Sequence, residues 1–169
     1  MPSCSERSTR NDLNIFIRRI QPGDQTEWLR LRLALWPQPR YKLTNLKAEM
    51  EKILADPEQP VFVAVHPQGG LCGFLEVSIH NWAEGCTSDQ IGYLEGWYVD
   101  PDWREKSIGR KLIEAAEEWA REKGCTEMAS DTDLDYPLSP EAHTRLGYQE
   151  VQRTLHFRKE LYGSESSKR

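Results

Sequence analysis

The chain of 169 residues is long enough for one domain with a sizeable core and too short for two ordinary ones. Its 22 Lys and Arg against 27 Asp and Glu leave a net charge of -5, which argues against a bulk electrostatic grip on nucleic acid or an anionic membrane and suits a cationic partner better. Cys4, Cys72, Cys86 and Cys125 form no CxxC pair and meet no histidine at metal-ligand spacing, so no metal site and no disulfide scaffold are expected, and the thiols read as free in a reducing cytoplasm.

The opening "MPSCSERSTRND" is polar where a signal peptide needs an apolar stretch, and nothing downstream approaches a membrane-spanning run, so a cytoplasmic protein is expected. Residues 1–12 read as a disordered extension, 13–162 as the folded domain and 163–169 as a disordered tail. "NIFIRRI" (14–20) has the length and β-branched content of a strand, and "PGD" turns the chain. Asp24 with Glu27 has the form of a capping box, and Trp28, Leu31 and Leu35 follow at helical spacing until Pro37. After the loop "WPQPRYK" a second helix fits 45–55, with Leu46, Met50, Ile53 and Leu54 on one face.

"VFVAV" (61–65), "LCGFLEVSIH" (71–80) and "IGYLEGWYV" (91–99) read as strands of an antiparallel meander. From 107 to 123, Ile108, Leu112, Ala115 and Trp119 share a face opposite Glu114, Glu117, Glu118 and Arg121, and Gly124 stops the helix. "CTEMAS" (125–130) is a short strand. Ser139 and Pro140 open a helix closed by Gly147, and "YQEVQRTLHFRKEL" supplies one or two last strands. This order predicts an α/β (α+β) domain, a mixed central sheet with helices on both faces.

The turn "REKSIGRK" stands where the helix after the third meander strand exposes unpaired amides and the positive end of its dipole. Arg104, Lys106, Arg110 and Lys111 surround the amides of Ser107, Ile108, Gly109 and Arg110, an arrangement that suits a pyrophosphate, although basic turns before helices are common and, taken alone, it reads more simply as a solvated turn. Glu95 sits inside an otherwise apolar strand, costly to bury unless something pairs with it, so it is either paired or solvent-facing. Regular alternation would place it on the face of Trp97 and Val99, a parity that a bulge would alter.

Arg104-x-x-Ser107-x-Gly109, between a strand ending "GWYVDPDWR" and an amphipathic helix, resembles the acyl-CoA motif of the GNAT superfamily of N-acetyltransferases, [RQ]-x-x-G-x-[GA], with Ser107 in place of a glycine. "LWPQ", "FLEVSIH", "YLEGWYV", "CTEMASDTDLD" and "HTRLGYQEV" together resemble the aminoglycoside 6′-N-acetyltransferases within it. The resemblance implies the GNAT fold, acetyl-CoA as co-substrate and acetylation of the 6′-amine of an aminoglycoside or similar cationic amine by direct attack in a ternary complex. The alternatives are a GNAT enzyme for another amine, such as a polyamine or protein N-terminus, and a binding module without catalysis. It also implies a homodimer, as in many relatives.

By resemblance, the strand before the turn carries a bulge whose amides at Trp97, Tyr98 and Val99 meet the acetyl group and pantetheine arm, with Gly96 accepting the distortion. Glu95 and Asp131 match acidic catalytic and substrate-binding positions, and Glu76 can face the same pocket. Trp36 and Trp82 match aromatic substrate-lining positions. His143 stands where many relatives carry a tyrosine acid, and either protonates the leaving thiolate or caps the pocket against CoA. Tyr136 replaces an asparagine that contacts CoA, and Gln152 replaces a substrate-side glutamate. His66, His80 and His156 read as structural or exposed.

Overall fold

The computed structural model describes residues 15–37 and 43–161, so the expectations for residues 1–12, 38–42 and 163–169 lie outside it. Strands β1 (Phe16–Arg19), β2 (Val61–Val65), β3 (Leu71–His80), β4 (Ile91–Val99) and β5 (Glu127–Ser130) form a five-stranded sheet in that order. The pairs from β1 to β4 are antiparallel, and only β4 and β5 run parallel. That parallel step needs a crossover, which the third helix supplies. The helices are α1 (Gln25–Leu35), α2 (Leu43–Ala55), α3 (Ile108–Glu122) and α4 (Ser139–Arg145).

Period-two alternation of the strands sends apolar side chains to both faces, and each face packs on its own helices. On one face Ile108, Leu112, Ile113, Ala116 and Trp119 of α3 pack with Leu75, Val77, Leu94 and Val99. On the other, Trp28 and Leu31 of α1 and Leu46 and Met50 of α2 pack with Val61, Val63 and Phe74. Each fully buried Leu, Ile or Phe contributes about 1.5–3 kcal/mol of transfer free energy, so both faces are needed to stabilise so thin a sheet. The expected mixed sheet with helices on both faces is what the chain forms.

Several local expectations are corrected. No Asp24–Glu27 box closes α1, whose N-cap Asp24 makes no capping bond there. Asp24 instead accepts from the Gln21 amide and forms an ion pair with Arg18 at 2.6 Å, because Pro22–Asp24 winds as a 3₁₀ turn before the helix. α4 starts at Ser139 rather than after it. The final strands do not form, and residues 149–161 have no ladder partner among the described residues, leaving Val151, Leu155, Phe157 and Leu161 exposed. A strand-like pattern alone does not make a strand when no neighbouring backbone accepts its hydrogen bonds.

Candidate active site

A break in the sheet register sets up the site. Glu76 pairs with Gly96 but the next residue, Val77, pairs with Leu94, so Glu95 is the extra residue of a bulge on β4. The bulge lies two residues before Trp97, the first of the positions expected to carry it, and it changes the parity. Trp97 packs with the α3 core, while Glu95 turns to the opposite face beside Ser78 and His80. Gly96 is required by close approach, since a Cβ there would lie 2.7 Å from the ring of Trp36.

On the α1/α2 face an acid-lined cavity of about 380 Å³ is bounded by Glu49, Asp56, Glu76 and Glu95, with Lys52 at its wall. Glu76 is buried at its base, where Oε1 accepts from Trp28 Nε1 at 2.9 Å and Arg32 Nε lies 3.1 Å away. Burial pushes the Glu76 carboxyl up to about 7, against the opposing pull of Arg32 and the Trp28 N–H. Arg32, itself buried on the apolar side of α1, also pairs with Glu49 at 2.7 Å and stacks over Trp28 and Trp36. One guanidinium therefore neutralises part of the acidic wall and holds the aromatic roof over the bulge.

Glu95 Oε1 accepts from Ser78 Oγ at 2.6 Å and meets His80 Nε2 at 2.7 Å. The His80 ring stacks on Tyr93, with centroids 4.1 Å apart and planes 9° apart. Tyr93 donates to Asp131 at 2.8 Å, and burial followed by that bond raises its hydroxyl above the ordinary tyrosine range, so it stays a donor. The catalytic candidates Glu95 and Asp131 thus belong to one chain of contacts.

On the α3 face the turn expected to take an anion opens onto the first amides of α3, which have no intrahelical acceptors. Ser107 caps α3 with φ 60° and makes no side-chain bond to the helix; Glu105 has φ 61°. The left-handed backbone is the conformation that favours glycine, so it explains why the motif carries glycine and what the Ser107 departure costs. Gly109 is needed for another reason: a Cβ would meet Trp97 at 2.7 Å, so Trp97 forms the floor beneath the helix start. Arg104 reaches back to the Val99 carbonyl at 3.0 Å and over Tyr98, while Lys106 bonds the Asp102 carbonyl at 3.0 Å.

Between these faces lies a gap in the sheet. β5 pairs with β4 only from Ile91 to Leu94 and ends at Ser130, so β4 from Glu95 to Val99 has β3 on one edge and no strand on the other among the described residues. Its free backbone groups can meet a ligand that passes from the α3 face toward Glu95. His143 stands in this gap, edge-on to Trp97 and Tyr148. Its Nδ1 donates to the Ser139 carbonyl at 2.8 Å, which leaves Nε2 of the neutral ring accepting from Ser130 Oγ at 3.0 Å. The Tyr136 hydroxyl donates to the Leu35 carbonyl at 2.7 Å and ties the loop after β5 to the end of α1.

The geometry therefore brings together Trp36, Glu76 and Glu95 at the bulge, Asp131 through Tyr93, and Trp97, His143, Ser107, Ile108 and Gly109 along the gap. Trp82 is exposed on a loop that Glu127 pins through the Thr87 and Ser88 amides, and Gln152 bonds only Thr154 among the described residues, so neither joins the acids. Sequence reading missed Arg32, Glu49, Ser78, His80, Tyr93 and Ser130. Only Arg32 left a local signal, a charge between Trp28 and Trp36 on the buried side of α1.

A helix start with unpaired amides, separated by a bulged strand and an open sheet edge from an acid-lined cavity, is the layout of an acyl-CoA-dependent N-acyltransferase. The family model for Acetyltransferase (GNAT) family matches residues 24–148, and the chain belongs to that family. It is 39% identical over 146 residues to an aminoglycoside N(6′)-acetyltransferase type 1 of Stenotrophomonas maltophilia, covering 86% of this chain and 93% of that one. A protein of the same name from Klebsiella aerogenes is 39% identical over 153 residues, covering 89% and 99%. Among solved structures, AAC(6′)-Iy in complex with the bisubstrate analog CoA-S-monomethyl-acetylneamine superposes with a TM-score of 0.78 at 34% identity, covering 86% and 98%. The apo aminoglycoside 6′-N-acetyltransferase AAC(6′)-Ig from Acinetobacter haemolyticus gives 0.78 at 32%, covering 86% and 99%.

Proposed function

We infer that this protein transfers the acetyl group of acetyl-CoA to the 6′-amine of an aminoglycoside by direct attack in a ternary complex. The observation that carries the reading is the open edge of β4 between Glu95 and Val99, which joins the α3 turn to the acid-lined cavity. The amides of Ser107 to Arg110, with Arg104 and Lys106 beside them, hold the diphosphate, and the Trp97–Val99 backbone guides the pantetheine arm. Trp36 covers the bulge, and the carboxylates of Glu76, Glu95 and Asp131 favour a polycationic sugar over a neutral one.

Glu95, or a water held by it, accepts the proton that the ammonium must lose before attack. The amine nitrogen then bonds to the acetyl carbon while β4 amides stabilise the developing oxyanion. The C–S bond breaks, the nitrogen gives its second proton to water to leave a neutral amide, and the sulfur takes a proton from His143, which draws it from solvent. In its protonated form Nδ1–H keeps the Ser139 bond, and Nε2–H, released from Ser130, is the donor. Tyr136 holds the loop over the gap, and Trp82 and Gln152, which do not join the acids, are assigned to distal sugar rings on resemblance alone.

The test is CoA release with purified protein, acetyl-CoA and tobramycin or kanamycin, beside a 6′-hydroxy aminoglycoside. Turnover confined to the 6′-amino drugs is expected; no release despite normal acetyl-CoA binding, or turnover of spermidine instead, contradicts the reading. No described helix is long and apolar enough to cross a membrane, which is compatible with work in the cytoplasm, where acetyl-CoA is available. A homodimer fits the exposed, strand-patterned residues 149–161, which would gain a ladder partner in a second copy. Sedimentation at the mass of one chain would contradict it.

A further inference from the structure

We propose that His80 aims the Glu95 carboxylate at the substrate amine, making it a positioning residue for the aminoglycoside instead of the structural or exposed histidine expected from sequence. The inference rests on the amine-acetylating function proposed above and names a determinant of its substrate site.

Glu95 is the extra residue of the β4 bulge, so it has no direct register partner on β3, and its side chain is 41% exposed. A glutamate in that position loses substantial rotamer freedom when it holds a ligand, unless something has already ordered it. His80 and Ser78 do so together, and both bind the same oxygen, Oε1. Oε2 accepts no hydrogen bond among the described residues and is left for the amine, on a residue that lines the cavity. A carboxylate only accepts, so His80 must carry its proton on Nε2 to make the contact.

The imidazole is itself held. It lies flat on Tyr93, whose hydroxyl is fixed by Asp131, and it stands at the end of β3 opposite Ile91. Asp131, Tyr93, His80 and Glu95 form an unbroken set of contacts from the end of β5 to the bulge, so the acids are placed relative to each other. Other charges nearby are Glu84, which acts on Tyr93, Glu76, whose field reaches Glu95, and Lys52 on the cavity wall. The anion-binding turn lies on the opposite face of the sheet and touches none of these groups, so loss of His80 should affect the amine and spare acetyl-CoA.

His80→Ala and His80→Gln are compared with wild type in steady-state kinetics with tobramycin and acetyl-CoA, with melting temperatures measured in parallel. His80→Ala is expected to raise KM for tobramycin about tenfold and to lower kcat, with KM for acetyl-CoA changed by no more than about twofold. His80→Gln, which places an N–H donor near the Nε2 position, is expected to restore KM to within about threefold of wild type. A tobramycin KM unchanged in His80→Ala overturns the proposal, as does equal loss in both variants with a lowered melting temperature, the mark of a packing role. Wild type that binds acetyl-CoA but acetylates no aminoglycoside would overturn the proposed function instead, a result distinct from either.

Discussion

The two sides of β4 are built by different means. On the α3 side, the turn from Arg104 to Arg110 offers main-chain amides, a left-handed Ser107 and cations whose own bonds go to nearby carbonyls. On the α1/α2 side, every central charge has a named side-chain partner: Glu76 with Trp28 and Arg32, Glu95 with Ser78 and His80, Asp131 with Tyr93. The first side depends on backbone shape and tolerates a changed side chain if the shape survives. The second depends on side-chain identity, and a changed acid leaves its partners unsatisfied. Substitutions should therefore separate cleanly into those that alter acetyl-CoA kinetics and those that alter amine kinetics.

Loss of Glu95 should give the largest break. Glu95→Ala is expected to lower kcat/KM for tobramycin by about 100-fold while KM for acetyl-CoA stays within about twofold, because a pocket carboxylate serves the amine in the transition state and little else. Equal damage to both substrates in steady-state kinetics would erase the distinction between the sides. Gly109→Ala tests the other side by shape alone. Its Cβ would meet Trp97 at 2.7 Å, so stability should fall by about 1–3 kcal/mol in denaturant titration and KM for acetyl-CoA should rise, with tobramycin KM little changed.

A smaller effect is expected from Glu76→Gln, read against pH. The folded carboxyl is raised to about 7 from 4.5, chiefly by burial, so the native state holds the proton more tightly than the unfolded chain. That contribution is complete below the unfolded value and is lost as pH rises through about 7. The stability of wild type relative to Glu76→Gln should thus decline between those limits in thermal melts; a difference independent of pH would mean that Arg32 keeps Glu76 ionised throughout. Smallest of all is Ser107→Gly. Relieving a left-handed non-glycine backbone, offset by the greater freedom of glycine in the unfolded chain, should stabilise by about 0.5 kcal/mol and tighten acetyl-CoA binding modestly in calorimetry.

Much of the frame was legible in the sequence. β2, β3 and β4 occupy the expected residues, since alternating apolar runs bounded by Pro60, Gly70 and Asp100 leave few other registers. The start of α3 was legible too, because strand, turn and amphipathic helix are local signals. The bulge at Glu95 was not, because it is a property of the pairing of β3 with β4. With it went the parity of Glu95 and the roles of Ser78, His80 and Tyr93, which meet only through cross-strand pairing and the bulge. Ser107 shows the same limit, since a serine in place of the motif's glycine does not reveal its backbone conformation, and the backbone has φ 60°. The last strands failed for the opposite reason: a strand-like local pattern from Val151 to Leu161 has no ladder partner among the described residues.

The central claim is that one continuous path leads from the α3 turn, along the open edge of β4, to Glu95. A crystal structure with CoA and tobramycin tests it most directly. The diphosphate is expected on the amides of residues 107–110, the pantetheine arm against Trp97–Val99, and the 6′-amine within hydrogen-bonding distance of Glu95 Oε2. A diphosphate bound away from that turn, or an amine on the far side of the sheet from Glu95, would contradict it.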